Sequence, residues 1–153
     1  MENQNNNTIV TKEQLMFPQI AMWVIFVIYL ISFFVYITKL STLNIIFNIA
    51  LNLLFLVVAI LVTLSIRNKF YYYYFISIIL SIIYGVINTI MEIINIVQLK
   101  NEGEGEVNNY IYSLVRSVVY LFIGWAMTIL LFGYRSKVYI FCNTSIGENE
   151  DNL

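Results

Sequence analysis

The sequence predicts an all-α integral membrane protein, a four-helix bundle with short connections between its helices. Three observations lead to this fold class: the composition, four long apolar runs, and the shortness of the polar segments between them. Hydrophobic residues make up 60% of the 153 residues and charged residues 11%, against roughly 45–50% and 25% in soluble domains. The mean hydropathy of +0.80 is typical of a chain whose solvent is largely the lipid bilayer.

The four apolar runs are each close to the roughly 20 residues that cross about 30 Å of hydrocarbon as a helix. The predicted spans are residues 17–38, 43–66, 70–97 and 110–134, which form one transmembrane domain over 17–134. Pro18 lies in the first turn of the first span, where a helix tolerates proline. Residues 1–16 and 135–153 are predicted to be polar tails.

The connections between the spans leave no room for a soluble domain. The longest, residues 99–109 (LKNEGEGEVNN), is acidic and contains glycine, which predicts a flexible exposed hairpin. A cleaved signal peptide is the alternative for the first span. Its apolar run exceeds the roughly 7–15 residues of a signal-peptide core, however, and no A-x-A-like site follows it. We therefore expect a retained helix.

The distribution of Lys and Arg predicts the orientation in the membrane. Four spans place both termini and the middle loop on one side, which holds Lys12, Arg67, Lys69, Arg135 and Lys137. The opposite side holds Lys39 and Lys100. Because short cytoplasmic loops carry an excess of basic residues, we expect a multi-pass protein of the cell membrane with cytoplasmic N and C termini.

Aromatic residues near the span ends indicate an interfacial belt. Residues 71–74, all tyrosine, and Trp23 are predicted to lie at similar depth near the inner face, where amphipathic rings favour the headgroup region. Trp125 lies in the middle of its span instead. We expect it to pack inside the bundle, with a hydrogen-bond partner for its indole N–H.

The residue inventory excludes several functional classes. The chain has no histidine, and Cys142 and Asp151 are its only cysteine and aspartate. No Ser-His, Cys-His, HExxH or paired-carboxylate motif can therefore be written, and no catalytic residue, cofactor or metal site is predicted. Eight Lys and Arg against nine Asp and Glu give a net charge of −1, which is unlike the basic surface of a nucleic-acid-binding protein.

Polar residues inside the spans recur at intervals of three and four, which places them on one face of each helix. They are Asn44, Asn48 and Asn52 in the second span, Ser77, Ser81, Tyr84, Asn88, Glu92 and Asn95 in the third, and Ser113, Arg116, Ser117, Tyr120, Gly124 and Thr128 in the fourth. Because an amide or hydroxyl is costly against lipid, these faces are predicted to turn toward one another. Interhelical hydrogen bonding, a ligand or ion pathway, and an oligomer interface are the three interpretations.

A candidate intramembrane site is drawn from these faces. It comprises Asn44, Asn48, Asn52, Ser81, Tyr84, Asn88, Glu92, Arg116 and Tyr120. Glu92 and Arg116 each lie twelve residues from Glu104 in the predicted hairpin, so they should reach similar depth near the outer interface. An ion pair would satisfy both charges, separate snorkelling is the alternative, and a third interpretation links Glu92 to a proton or a substrate.

Parts of the chain resemble an uncharacterised family of small bacterial four-span membrane proteins. The similar segments are FNIALN (47–52), RNKF (67–70) and RSKVYIF (135–141), together with Arg116 and Trp125. The family pattern has E-x-x-x-N on the second span, where Asn52 matches the Asn and Asn48 stands in the place of the Glu. It has S-x-R-V after the last span, where Ser136 and Val138 match with slipped spacing. The resemblance implies the same four-span topology and, since the family has no assigned activity, no function.

Two functional hypotheses follow. The first is a non-enzymatic module that binds a partner, either another membrane protein or an incoming toxin or bacteriocin, as an immunity protein does. It rests on the shortage of reactive residues beside a large lateral apolar surface. The second is an oligomeric transporter or channel for an ion or small molecule, in which Glu92 and the asparagines line the pathway. It requires a homo-oligomer, because four short helices alone enclose little space. An intramembrane enzyme is the least favoured class.

Overall fold

A computed structural model describes residues 10–36, 42–102 and 107–150. A 3-10 helix (Lys12–Leu15) precedes four α-helices, α1 (Met16–Tyr36), α2 (Thr42–Asn68), α3 (Tyr71–Glu102) and α4 (Val107–Glu150), and the described ranges contain no strand. Four helical segments are long and apolar enough to cross a membrane: Lys12–Val35, which begins in the 3-10 helix and continues through α1, and Asn44–Asn68, Tyr71–Gln98 and Leu114–Thr144 within α2, α3 and α4. The predicted all-α four-helix bundle is confirmed, and the chain is a multi-pass membrane protein.

α3 is the central helix, because it packs along both α2 and α4, while α1 packs mainly against α2. The buried apolar positions recur every three or four residues, as they must for one inward-facing stripe per helix. On α2 they are Leu51, Phe55, Val58, Val62 and Ile66. The opposite faces remain apolar and exposed, most strongly at Phe122 (75%) and Ile129 (70%) on α4. This is the surface that contacts lipid in a bundle of this kind.

The turn between α2 and α3 is closed by a left-handed residue, Lys69, at φ 54°. The N–H of Phe70 donates to the carbonyl oxygen of Ser65 at 3.0 Å, which is the long hydrogen bond of a Schellman motif. This backbone conformation costs a non-glycine residue about 1–2 kcal/mol. The Lys69 ammonium lies 5.4 Å from the ring centroid of Phe141, and this cation–π contact offsets part of that cost. The turn makes α2 and α3 antiparallel neighbours.

The C-terminal segment differs from the predicted polar tail at 135–153. α4 continues through it to Glu150, and Val138, Phe141 and Cys142 are buried in the same apolar cluster as Val10 and Leu15 at the N-terminal end. The three residues of α4 are spaced i, i+3 and i+4, so they share one face. Arg135 and Lys137 lie on the exposed side and gave the segment its polar character in the sequence. Residues 1–9 and 151–153 lie outside the described residues.

Two further predictions need adjustment. Of the hairpin predicted at 99–109, the residues up to Glu102 belong to α3 and those from Val107 belong to α4. Residues 103–106, like 37–41 with Lys39, lie outside the described residues.

The tyrosine run is only partly an interfacial belt. Tyr72 is exposed, but Tyr74 is fully buried and its hydroxyl donates to the carbonyl oxygen of Leu131 at 2.8 Å, because position 74 falls on the inward stripe of α3.

Candidate functional site

The polar face of α3 begins with two serines that serve helix packing. The hydroxyls of Ser77 and Ser81 donate to the carbonyl oxygens of Tyr74 (2.6 Å) and Ile78 (2.7 Å) in their own helix. Thr128 of α4 donates across the interface to the carbonyl oxygen of Ser81 at 3.2 Å. The side chain of Ser81 thus has its hydrogen-bond partner within α3.

Asn88 links α3 to α4. Its side-chain Nδ2 donates to the carbonyl oxygen of Tyr120 at 3.0 Å, and Asn88 is buried. Trp125 forms a second link one turn away, since its ring lies against Gly85 and its Nε1 donates to Thr89 at 3.1 Å. The indole partner expected from the sequence is therefore present. Both contacts are of the interhelical hydrogen-bonding kind.

Two of the three asparagines on the polar face of α2 direct their amide groups along their own helix. Nδ2 of Asn48 donates to the carbonyl oxygen of Asn44 at 2.7 Å, and Nδ2 of Asn52 donates to that of Asn48 at 2.8 Å. Asn44 donates to Oδ1 of Asn95 on α3 at 3.2 Å. With its N–H groups used in this way, Asn52 is left with a buried acceptor, Oδ1, that has no hydrogen-bond partner.

A layer of aromatic rings crosses the bundle beside these asparagines, and each of the four helices contributes one ring. The centroid of Tyr29 on α1 lies 5.1 Å from that of Tyr120 on α4, 6.2 Å from Tyr84 on α3 and 6.5 Å from Phe55 on α2. The Tyr29 hydroxyl donates to Oδ1 of Asn48 at 3.5 Å. Sequence reasoning missed Tyr29. The buried positions Met22, Tyr29 and Phe33 on α1, spaced by seven and four, are the signal that could have identified it.

Glu92 and Arg116 meet this layer from α3 and α4. Glu92 is only 6% exposed, and its carboxylate acts electrostatically on the hydroxyls of both Tyr29 and Tyr84. Arg116 also acts on Tyr29, and its Cζ lies 5.9 Å from the ring centroid of Tyr120. Both charges therefore act electrostatically on the same tyrosine. The ion pair between Glu92 and Arg116 stays a prediction.

We call this set of residues the Glu92 cluster. It comprises Tyr29, Asn52, Tyr84, Glu92, Arg116 and Tyr120. Two of its buried acceptors, Oδ1 of Asn52 and Oε2 of Glu92, have no hydrogen-bond partner, and the Tyr84 hydroxyl faces Tyr29 without making a well-formed hydrogen bond. Among the residues the structure describes, no three His, Cys, Asp or Glu side chains come together. The cluster is thus chemically suited to a proton or a small hydrogen-bonding cation rather than to a transition metal.

The nine residues of the predicted site separate into two groups. Tyr84, Asn52, Glu92, Arg116 and Tyr120 belong to the Glu92 cluster, and Asn48 borders it through Tyr29. The remaining three, Asn44, Ser81 and Asn88, make hydrogen bonds that hold helices or turns of helix in place. Ser117 is buried next to the cluster on α4, while the side chain of Ser113 lies outside the described residues.

No protein-family model, curated protein or solved structure matches this chain. The fold and the site define a class, a multi-pass membrane protein with a polar cluster between its helices that contains a buried glutamate, Glu92.

Proposed function

We propose that the protein is a small proton- or cation-linked transporter or channel that works as a homo-oligomer, with Glu92 as the binding group. The observation that carries this proposal is a carboxylate oxygen, Oε2 of Glu92, that is buried without a hydrogen-bond partner within a membrane span. Ionisable groups at such depth are expensive and are usually tied to an ion or substrate pathway. Ser77 and Ser81, on the same face of α3, contrast with Glu92, because their hydroxyls donate to carbonyl oxygens of their own helix.

A proton is the ligand that the cluster fits most simply, because it needs no cavity. The charged and titratable groups around Glu92 are Tyr29 from α1, Tyr84 from α3, and Arg116 and Tyr120 from α4; α2 contributes only asparagines. The guanidinium and the phenol hydroxyls are hydrogen-bond donors, and a carboxylate accepts from such groups. When protonated, the carboxyl group becomes a hydrogen-bond donor itself.

The test is flux in proteoliposomes that hold a pH-sensitive dye. We expect an imposed ion gradient to drive proton movement through the wild-type protein, and Glu92→Gln to abolish it. Glu13→Gln is the matched control, since it makes the same chemical change at an exposed position and should leave flux unchanged. A thermal unfolding curve for each variant separates loss of activity from loss of fold. Absence of flux in the wild-type protein, or full flux in Glu92→Gln, would contradict the proposal.

The second candidate is the partner-binding module, in the form of a membrane-complex subunit or a toxin or bacteriocin immunity protein. It is supported by the loose attachment of α1, whose span has only 22% of its residues buried against 44% in α3. The exposed stripe on α1 includes Val27, Ile31 and Phe34, which a partner helix could cover. A wild-type protein without flux that co-purifies with one membrane protein, and releases it on Ile31→Asn, would favour this candidate.

We propose that both termini and Lys69 lie in the cytoplasm, the side on which short loops carry an excess of basic residues. This orientation is supported by the five-to-two distribution of Lys and Arg. In a Cys142→Ser background, Gly105→Cys should react with a membrane-impermeant maleimide in intact cells, and Asn143→Cys should react only after lysis. The reverse result would invert the topology. The four-span family resemblance agrees with the fold but adds no activity to this proposal.

A further inference from the structure

A cleft opens between α3 and α4 at the end of the bundle away from Glu92. It has a volume of about 420 Å³ and is lined by Tyr71, Arg135, Ser136, Tyr139 and Ile140. The rings of Tyr71 and Tyr139 meet edge to face, with their centroids 5.1 Å apart. Glu92 lies 21 residues further along α3 than Tyr71, about 31 Å at 1.5 Å per residue. The cleft is therefore separate from the Glu92 cluster.

The electrostatics of the cleft favour an anion. Arg135 lines it and acts electrostatically on Tyr71, and Arg67, Lys69 and Lys137 lie at the same end of the bundle. Tyr71 is the first residue of the 32-residue helix α3, so the positive end of the helix dipole adds to the field. Of the carboxylates whose side chains are described, only Glu13, exposed on the 3-10 helix, lies toward this end.

The donor groups of the cleft match a phosphate. A guanidinium offers two parallel N–H donors to phosphate oxygens, and the hydroxyls of Ser136, Tyr71 and Tyr139 are further donors in the same lining. Basic pockets between helices at the membrane surface commonly bind phospholipid headgroups in this way.

The position of the cleft points to a lipid rather than to a free ion. It lies where the first span begins, since the ring of Phe17 near the start of α1 lies 6.1 Å from that of Tyr134. The Arg135 Cζ lies 5.8 Å from the ring centroid of Phe132, one turn deeper on α4, and Phe132 is half exposed. A headgroup in the cleft would thus have an exposed apolar ring below it, against which its acyl chains can pack.

From this geometry we infer that the cleft of Tyr71, Arg135, Ser136 and Tyr139 is a binding site for the phosphate of an anionic phospholipid, with Arg135 as its main contact. The site is independent of the function proposed for Glu92. The inference does not depend on the orientation of the chain in the membrane. In the proposed orientation, the cleft faces the cytoplasmic leaflet, which is rich in anionic lipid.

The test uses the full chain in a neutral detergent, with the thermal unfolding midpoint followed as ligand is added. The probes are short-chain phosphatidylglycerol, short-chain phosphatidylcholine and inorganic phosphate. We expect phosphatidylglycerol to raise the midpoint saturably, and the other two to raise it little at the same concentration. Inorganic phosphate that binds as tightly as phosphatidylglycerol would overturn the lipid assignment. An equal response to phosphatidylcholine, or no saturable response, would overturn the site.

Substitutions locate the binding within the cleft. Arg135→Gln should weaken phosphatidylglycerol binding by about tenfold or more, because it removes a charged hydrogen-bond donor. Arg67→Gln removes the same charge at an exposed position at the same end, outside the lining, and should weaken binding by less than about fivefold. Tyr139→Phe keeps the ring and the fold, and should weaken binding by a smaller factor through its hydroxyl alone. Equal losses for Arg135→Gln and Arg67→Gln would reduce the effect to general surface charge and overturn the inference.

Discussion

Asn88 of α3 packs directly over Gly124 of α4, so that a β-carbon at residue 124 would lie 3.0 Å from Nδ2 of Asn88 and 3.4 Å from Cε1 of Tyr84. The same Nδ2 donates to the carbonyl oxygen of Tyr120. The missing side chain at residue 124 therefore allows one hydrogen bond between the helices and fixes the position of Tyr84 in the Glu92 cluster.

Gly124→Ala should destabilise the bundle by about 1–2 kcal/mol, because the added methyl group forces Asn88 away from its acceptor. Gly133→Ala is the control on the same helix, since a β-carbon there would meet nothing within 4 Å. It should be neutral or stabilise the helix by up to about 1 kcal/mol. Thermal or denaturant unfolding in detergent measures both. Similar effects of the two substitutions would show that the close approach at residue 124 does not govern the interface.

Asn88→Leu should cost more than Asn48→Leu, although both positions lie on predicted inward faces. The amide of Asn88 bonds to α4, whereas that of Asn48 returns to its own helix and only accepts a long contact, 3.5 Å, from Tyr29. We expect a loss of about 1 kcal/mol at residue 88, within the range of interhelical hydrogen bonds in membranes, and less at residue 48. Ile79→Leu, at an exposed apolar position, should have no effect on the same unfolding curve.

Cys142 should react slowly with a maleimide in the folded protein, since it is buried within the C-terminal extension of α4. In a Cys142→Ser background, Asn143→Cys places a thiol at the next, exposed position and should react roughly 100-fold faster, because it needs no local opening. Mass spectrometry of timed samples gives both rates. Comparable rates would mean that the segment after residue 134 is the polar tail that the sequence predicts, and not a packed helix.

The sequence was sufficient to predict the four helices and the inward faces of α2, α3 and α4. Amide and hydroxyl groups at intervals of three and four lie on one face of a helix, and that face avoids lipid by turning toward another helix. The sequence did not identify Tyr29, since a tyrosine between apolar neighbours has no polar periodicity to mark it. It also did not show that α4 continues beyond residue 134, because Arg135 and Lys137 obscure the apolar spacing of Val138 and Phe141. Some polar atoms of the predicted site have hydrogen-bond partners and others have none. This difference depends on side-chain geometry, which the spacing of residues in the sequence does not specify.

Glu92 and Arg116 should be energetically coupled, because the carboxylate and the guanidinium both act electrostatically on Tyr29. Removing one charge leaves the other in a region of low dielectric, so Glu92→Gln and Arg116→Met should each destabilise the protein by about 1–3 kcal/mol. The double variant should cost less than the sum of the two, since it leaves neither charge uncompensated.

The double-mutant cycle is read from thermal unfolding in detergent, with both single variants and the double variant measured under the same conditions. A coupling energy of about 1 kcal/mol or more between the two substitutions would show that the side chains stabilise one another between α3 and α4. Additive single effects would mean that the two side chains reach water separately and are not coupled.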